Sequence, residues 1–303
     1  MRTYFLSAML GLAFVSTSFG QVKLEMKLND GTHTSEITNH IEQKLTINGV
    51  EIPTSVDGRT SGKTTTSKRS ANGEVRVQQK MESMQATIAA PGNDYSFDSA
   101  NPDKAGTSQL EIVRDAHKAL AKRSLTMVFD KDNKLTSVTP DQDYLGALPV
   151  AVQGLVKSEF DPEQLKKAAA QDLARLPTEA VNKGDTWDRT ETVNLGAGQV
   201  MTFVSRYTYE GEADKNGKKL DKITSKTQSV DFNLEDNTLG LQLKNSNLKT
   251  EDENNVIWFD RERGMIVETN TSVRITGEIT FVEGGNDLPA KLDLKIMVTA
   301  TQK

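Results

Sequence analysis

The sequence predicts a mainly β protein, α+β overall, in which a long antiparallel curved sheet or half-barrel surrounds a few central helices. Apolar and polar residues alternate through most of the chain from Gln21 onward, the period of a strand with one buried and one wet face. Asn/Asp/Gly pairs separate the alternating runs and supply the backbone conformations that hairpin turns need. Helical spacing is confined to the middle of the chain, so the strands on either side are expected to pair with antiparallel neighbours.

Val22, Leu24, Met26 and Leu28 alternate with Lys23, Glu25 and Lys27 as the cleanest strand of the chain, and Asn29-Asp30-Gly31 reads as the turn after it. Leu45-Ile47 leads into a hairpin signal at Asn48-Gly49, and Asn72-Gly73 leads into Val75-Val77. Further strands are expected at Leu125-Met127-Phe129, Met201-Phe203 with Tyr207-Tyr209, Leu239-Leu241-Leu243, Val273-Ile275, Ile279-Phe281 and Leu292-Leu294-Ile296-Val298, with a hairpin at Gly196-Ala197-Gly198. Residues 57–74 are mostly Gly, Ser, Thr, Lys and Arg, with almost nothing to bury, and read as an exposed loop or long solvated hairpin. Residues 90–107 read as a connection rich in turn formers.

The best helix runs from Asp161 to about Arg175. Asp161 suits the N-cap and Pro162 the first helical position, Gln164 completes a capping box, and Leu165, Ala169, Leu173 and Leu176 share a face until Leu176-Pro177 stops it. A second helical segment spans Tyr144 to Val156 with Pro149 as a break, and a third spans Ser108 to Lys122. This divides the chain into a signal segment (1–20), an N-terminal β-rich half (21–139), a central helical segment (140–182) and a C-terminal β-rich half (183–303), which can form one continuous domain. Residues 127–132 match 257–262 class for class, a pattern that most apolar-charged-apolar hairpins also produce.

The 303 residues carry 37 Lys+Arg against 42 Asp+Glu and no Cys. Disulfides and cysteine metal sites are excluded, and a net charge of −5 argues against nucleic acid as a partner. Arg2, the apolar run from Tyr4 to Val15 and the small residues Ser18 and Gly20 form a secretory signal. That run is about 12 residues long, where a bilayer span needs about 20. Gln21 stands where a lipoprotein would carry Cys. The expected protein is therefore exported, periplasmic or extracellular, with no lipid anchor and no transmembrane segment in its mature chain.

An apolar-Phe-Asp-x-Asp-Asn hairpin (Val128 to Leu135), a helix ending in Leu176-Pro177-Thr178-Glu179 and then Lys183-Gly184-Asp185-Thr186-Trp187 resemble an uncharacterised family of secreted bacterial envelope proteins. The likeness covers most of the mature chain in layout but about 30 residues in motif. It implies an exported protein of unknown activity and carries over no catalytic residue. Gly184-Asp185 reads as a turn, and Trp187 as the first buried residue of the strand after it.

No motif supplies a catalytic centre. His33, His40 and His117 lack metal-binding spacing, and Asp130-Lys131-Asp132-Asn133 departs from a calcium loop at its sixth position, where Leu135 replaces glycine. Gly58-Arg59-Thr60-Ser61-Gly62-Lys63-Thr64 is one residue short of a phosphate loop and has no helix behind it. No cofactor or metal is expected. The function expected is non-catalytic binding of an apolar or lipid-like ligand in the envelope, with a structural or protein-interaction module as the alternative. Met201, Phe203 and Tyr207, on one face of one strand, are the candidate ligand contacts, although plain core packing gives the same row.

Overall fold

Alternation and Asn-Gly turns build one antiparallel sheet of long strands. The computed structural model describes residues 20–196, 199–234 and 242–303. It is 62% strand and 11% helix, and its sheet is curved and unclosed. The strands are β1 (Gly31–Ile47), β2 (Val50–Thr66), β3 (Val75–Ala90), β4 (Asn93–Asp98), β5 (Ser124–Phe129), β6 (Leu135–Pro140), β7 (Thr186–Gly196), β8 (Gln199–Lys215), β9 (Lys218–Leu234), β10 (Gln242–Asp260), β11 (Met265–Glu283) and β12 (Asn286–Gln302). Their order is β6-β5-β3-β2-β1-β12-β11-β10-β9-β8-β7, with β4 on the end of β3. The pairing of β1 with β12 joins both β-rich halves in one sheet. Residues 1–19 of the expected signal segment (1–20) lie outside the described residues, as do 239–241 of one expected strand and 197–198 of one expected hairpin.

The Asn48-Gly49 turn forms as expected: Asn48 (φ 51°) and Gly49 (φ 81°) take the two positive-φ positions of a hairpin whose flanking residues, Ile47 and Val50, pair directly. Residues 127–132 and 257–262 each run from a strand into a turn held by its aspartate. Asp130 Oδ1 accepts from the amides of Asp132 and Lys134, and Asp260 Oδ1 accepts from that of Arg263.

Four expectations need correction. Residues 22–28 form no strand. They run as an extended strap with a single bridge, Val22 to Val181, while Leu24 is buried against Phe259 and Ile223. Residues 57–66 are no loop but the second half of β2, paired on both sides by β1 and β3, so of the two readings given for 57–74 the long hairpin holds and the exposed loop does not. Thr and Gly carry this stretch because it faces Asn39 and Ser35, whose side chains fill the space over Gly58 and Gly62. The phosphate-loop near-miss thus lies mid-strand, its amides committed to ladders. Within 90–107, residues 93–98 form β4, and Tyr95 and Phe97 are buried. The expected helix 144–156 begins only at Val150, because Pro149 holds an extended backbone at the N-cap.

The helices are α1 (Arg114–Leu120), preceded by a tight turn at Gln109–Val113, α2 (Val150–Val156) and α3 (Pro162–Leu173). Asp161 caps α3 as expected, accepting from the amides of Glu163 and Gln164. Helix α3 spans the gap between the sheet's two outermost strands. Its Leu165 packs with Leu125 of β5 and Val138 of β6. At its other end, Gln171 Oε1 accepts from the Thr192 amide of β7 at 3.3 Å, and Trp187 Nε1 donates to the Arg175 carbonyl at 3.0 Å. Arg189 of β7 donates to the carbonyls of Ala174 and Leu176, which satisfies the end of the helix. The strap runs between the same margins, placing Leu24 in the cluster of Tyr209 and Phe259, and Leu28 in that of Val75, Phe129 and Leu173.

Acid should weaken this fold. The Arg274 guanidinium, donating two bonds to Asp293 at 2.8 and 2.7 Å, holds that carboxyl below the usual range. The Ser124 hydroxyl, with Gln78 and Thr126, does the same for Asp141. Carboxyls depressed in the fold stabilise it above their unfolded pKa of about 4 and lose that contribution as pH falls through the folded value. Urea midpoints should therefore begin to fall below about pH 6.5, where the unfolded chain takes up protons that partly buried His33 and His117 resist, and fall further below about pH 4. Asp293→Asn should flatten part of that fall.

Candidate functional site

All the buried clusters and the helices lie on one side of the sheet, the inner face. Register assigns the faces. Leu45 and Ile47 pack on the main cluster of β8–β12, so their β2 partners Ile52 and Val50 point the same way. Val193 of β7 faces the inner side opposite Met201. Among the described residues, the large apolar side chains left exposed on strands are Ile37 (41%), Val50 (64%), Ile52 (39%) and Val193 (42%), and register puts all four on this inner face. Isolated exposed apolar residues are ordinary, but confinement to one face next to half-buried Leu45, Ile47 and Phe203 marks an apolar wall.

The three residues singled out in the sequence share this face on β8. Met201 is 1% exposed, in one cluster with Val230, Phe232 and Ile275. Phe203 is half-buried against the same cluster. Tyr207, 3% exposed, belongs to a second cluster, stacks on Trp187 with ring centroids 5.8 Å apart, and donates its hydroxyl to Glu191 Oε1 at 2.7 Å. Burial, then the Glu191 charge, pushes its phenol pKa up. A ligand on the inner face thus meets Phe203 and Val193 before it reaches Met201 or Tyr207.

Beside this wall, where α3 meets β7, is a polar cluster. Arg175 donates Nε to Glu191 at 3.1 Å and pairs through Nη2 with Asp172 at 3.1 Å. The Asp172 side chain is 68% exposed, yet surrounding protein desolvates its carboxyl enough to raise its pKa, against Arg175 and together with Glu191. Sequence reasoning missed these residues and the four exposed apolar ones. Val50-Glu51-Ile52 beside Asn48-Gly49 carried a period-two signal, but nothing in sequence brings Asp172 to Glu191.

The outer face is different in chemistry. A groove of about 870 Å³ crosses it, lined by Glu42, Lys44, Arg274, Asp293 and Lys295, with Pro53 and Pro91 at one side. The three histidines are dispersed. His117 stacks on Tyr95 and Phe97, where burial lowers its pKa, and His40 bonds Asp57 at 2.6 Å on the outer face. Among the described residues no group of His, Asp and Glu is arranged to hold a metal, and no helix is long and apolar enough to cross a membrane.

A family model matches residues 72–280, from the turn before β3 into the last part of β11. The chain belongs to the family of unknown function DUF6263. This agrees with the uncharacterised family the motifs resemble. No curated protein matches the sequence. Among solved structures, lipovitellin, studied for its lipid–protein interactions, is similar over 91% of this chain at 10% identity and TM-score 0.43. The chain spans about a quarter (25%) of lipovitellin's length. An outer-membrane channel from Pseudomonas putida F1 is similar over 92% of this chain and 98% of its own, at 8% identity and TM-score 0.25.

Proposed function

We propose that this DUF6263 protein is an exported, non-catalytic binder of an apolar or lipid-like ligand, periplasmic or extracellular, and that the ligand lies on the inner face of the sheet. The supporting observation is that Ile37, Val50, Ile52 and Val193 are exposed on that face and not on the other. Exposed apolar surface is costly in water, about 25 cal/mol per Å², and a ligand covering it gains that amount. Helix α3 and the strap cross between the margins of the sheet on that same side.

The test is uptake of a fluorescent fatty-acid-like probe. Wild-type protein should bind it, and Val193→Asp should weaken binding at least tenfold. Because Val193 is 42% exposed, the same change should move the melting temperature by only a few degrees. Protein purified from the envelope should also release an apolar molecule into organic solvent, identifiable by mass spectrometry. If wild type takes up no probe and releases nothing, the binder reading falls. The alternative, a protein-interaction module of the envelope, is favoured by the charged groove on the outer face, whose mixed charges suit a protein partner.

A further inference from the structure

The middle strands of the sheet separate their charges completely. Over residues 37–47 of β1, 50–60 of β2, 290–300 of β12 and 269–281 of β11, register places every Asp, Glu, Lys, Arg and His on the outer face. There they pair with one another, as Lys44 does with Glu51 and Arg274 with Asp293. A buried face must exclude charge in order to fold. On β1 and β2, however, no inner-face position of these stretches is buried: Ile37, Val50 and Ile52 are exposed and the rest half-buried. Burial therefore does not account for an open face without one ionisable side chain. The polar groups on this face are amides and hydroxyls. Gln43 stands opposite Thr54, between the pairs Ile41–Val56 and Leu45–Ile52, and the Asn39 carboxamide lies over Gly58. Among the described residues neither carboxamide has a hydrogen-bond partner, so both can still bond a ligand.

We propose, on the reading that the inner face takes an apolar ligand, that the ligand is an uncharged lipid, a hydrocarbon chain bearing a hydroxyl or ester. Its polar group bonds Gln43 and Thr54, and its chain covers the apolar residues on either side of them, Ile41 and Val56 or Leu45 and Ile52. The Gln43 carboxamide accepts at Oε1 and donates at Nε2, and the Thr54 hydroxyl does both, so a hydroxyl or an ester carbonyl finds matched partners. An ionised carboxylate or ammonium at the same place gives up its hydration with no opposite charge in return. A fatty acid or an amine keeps that hydration only by holding its head off the face. It then forgoes the bonds to Gln43 and Thr54.

Decanol, decanoate and decylamine share a chain length and differ in charge, and each can be titrated at pH 7 against diphenylhexatriene, a fluorescent hydrocarbon, below its solubility or micelle limit. Wild type should bind decanol at least tenfold tighter than either ion. Gln43→Leu keeps the face apolar, and should weaken decanol about fivefold while leaving diphenylhexatriene within about twofold of wild type. Its melting temperature should stay within a few degrees, since Gln43 is half-buried with no protein partner to lose. The wild-type ranking does not depend on that variant. If either ion binds as tightly as decanol, or decanol fails to displace diphenylhexatriene, the uncharged-lipid assignment is wrong while the apolar face stands. Undiminished decanol binding by Gln43→Leu overturns the assignment too. If wild type binds neither diphenylhexatriene nor any of the three, the apolar-binder reading itself fails, and this inference with it.

Discussion

Gly277→Ala should cost about 3 kcal/mol or more of unfolding free energy, a large share of what holds a domain folded. Gly277 lies in the middle of β11, opposite Leu248 on one side and Leu292 on the other, with φ at 154°, where L side chains rarely go. A Cβ there would overlap the carbonyl oxygen of Asn247 and come within 2.9 Å of the Leu248 Cα. These are backbone atoms, so no rotamer change relieves the overlap. Strand β10 would have to move away from β11 beside the cluster that holds Ile275 and Ile279. Gly92→Ala is the control. Gly92 also has positive φ, 74°, but nothing lies within 4 Å of its missing Cβ, so only the left-handed strain of about 1–2 kcal/mol remains. Urea denaturation of the two variants measures the difference. Equal costs would mean that the close approach of β10 contributes nothing.

The two errors of strand assignment show what alternation in a sequence measures. Val22 to Leu28 alternates cleanly and Leu24 is buried, but the segment forms no ladder because it crosses the inner side of the sheet without joining an edge. Residues 57–66 lack alternation and are paired on both sides, because their inner-face positions Gly58, Thr60, Gly62, Thr64 and Thr66 are small or β-branched. Period two reports one-sided burial, whereas ladder formation depends on what lies alongside, which no local window contains. The turns were far more legible. Asn48-Gly49 and Asp161-Pro162 specify their structures through the backbone of one or two residues, and both form as expected.

The inner face was legible in part for the same reason. The row of Met201, Phe203 and Tyr207 follows from strand period alone, and β8 keeps it on one face. Which members of the row meet solvent depends on β9, β11, Trp187 and Glu191, so the burial of Met201 and Tyr207 was not written locally. The junction of Asp172, Arg175 and Glu191 was hidden altogether, since a helix end and an edge strand meet there only because α3 crosses between the sheet's margins. Leu176-Pro177 ends that helix, and Lys183-Gly184-Asp185 turns the chain into β7. The motif that carries the family resemblance is thus the connection that sets this junction.

Leu24→Ala should cost about 2–5 kcal/mol, although Leu24 belongs to no strand. Its side chain is 2% exposed among Tyr209, Ile223, Ile257 and Phe259, and the last of these is fully buried. Truncation leaves a cavity at this point. The strap has little with which to compensate, since Val22 pairs with Val181 through two amides, Lys27 donates its amide to Gly264, and its remaining bonds are exposed. Lys27→Ala supplies the contrast. It removes exposed bonds from Nζ to the carbonyls of Arg261 and Glu262 and should cost less than about 1 kcal/mol. Amide hydrogen exchange at Val22 and Val181 distinguishes two ways of losing stability. If the strap folds with the sheet, Leu24→Ala lowers protection there and in β9–β10 together. A loss confined to Val22 and Val181, with a global cost below about 1 kcal/mol, would make the strap a peripheral addition to a sheet that stands without it.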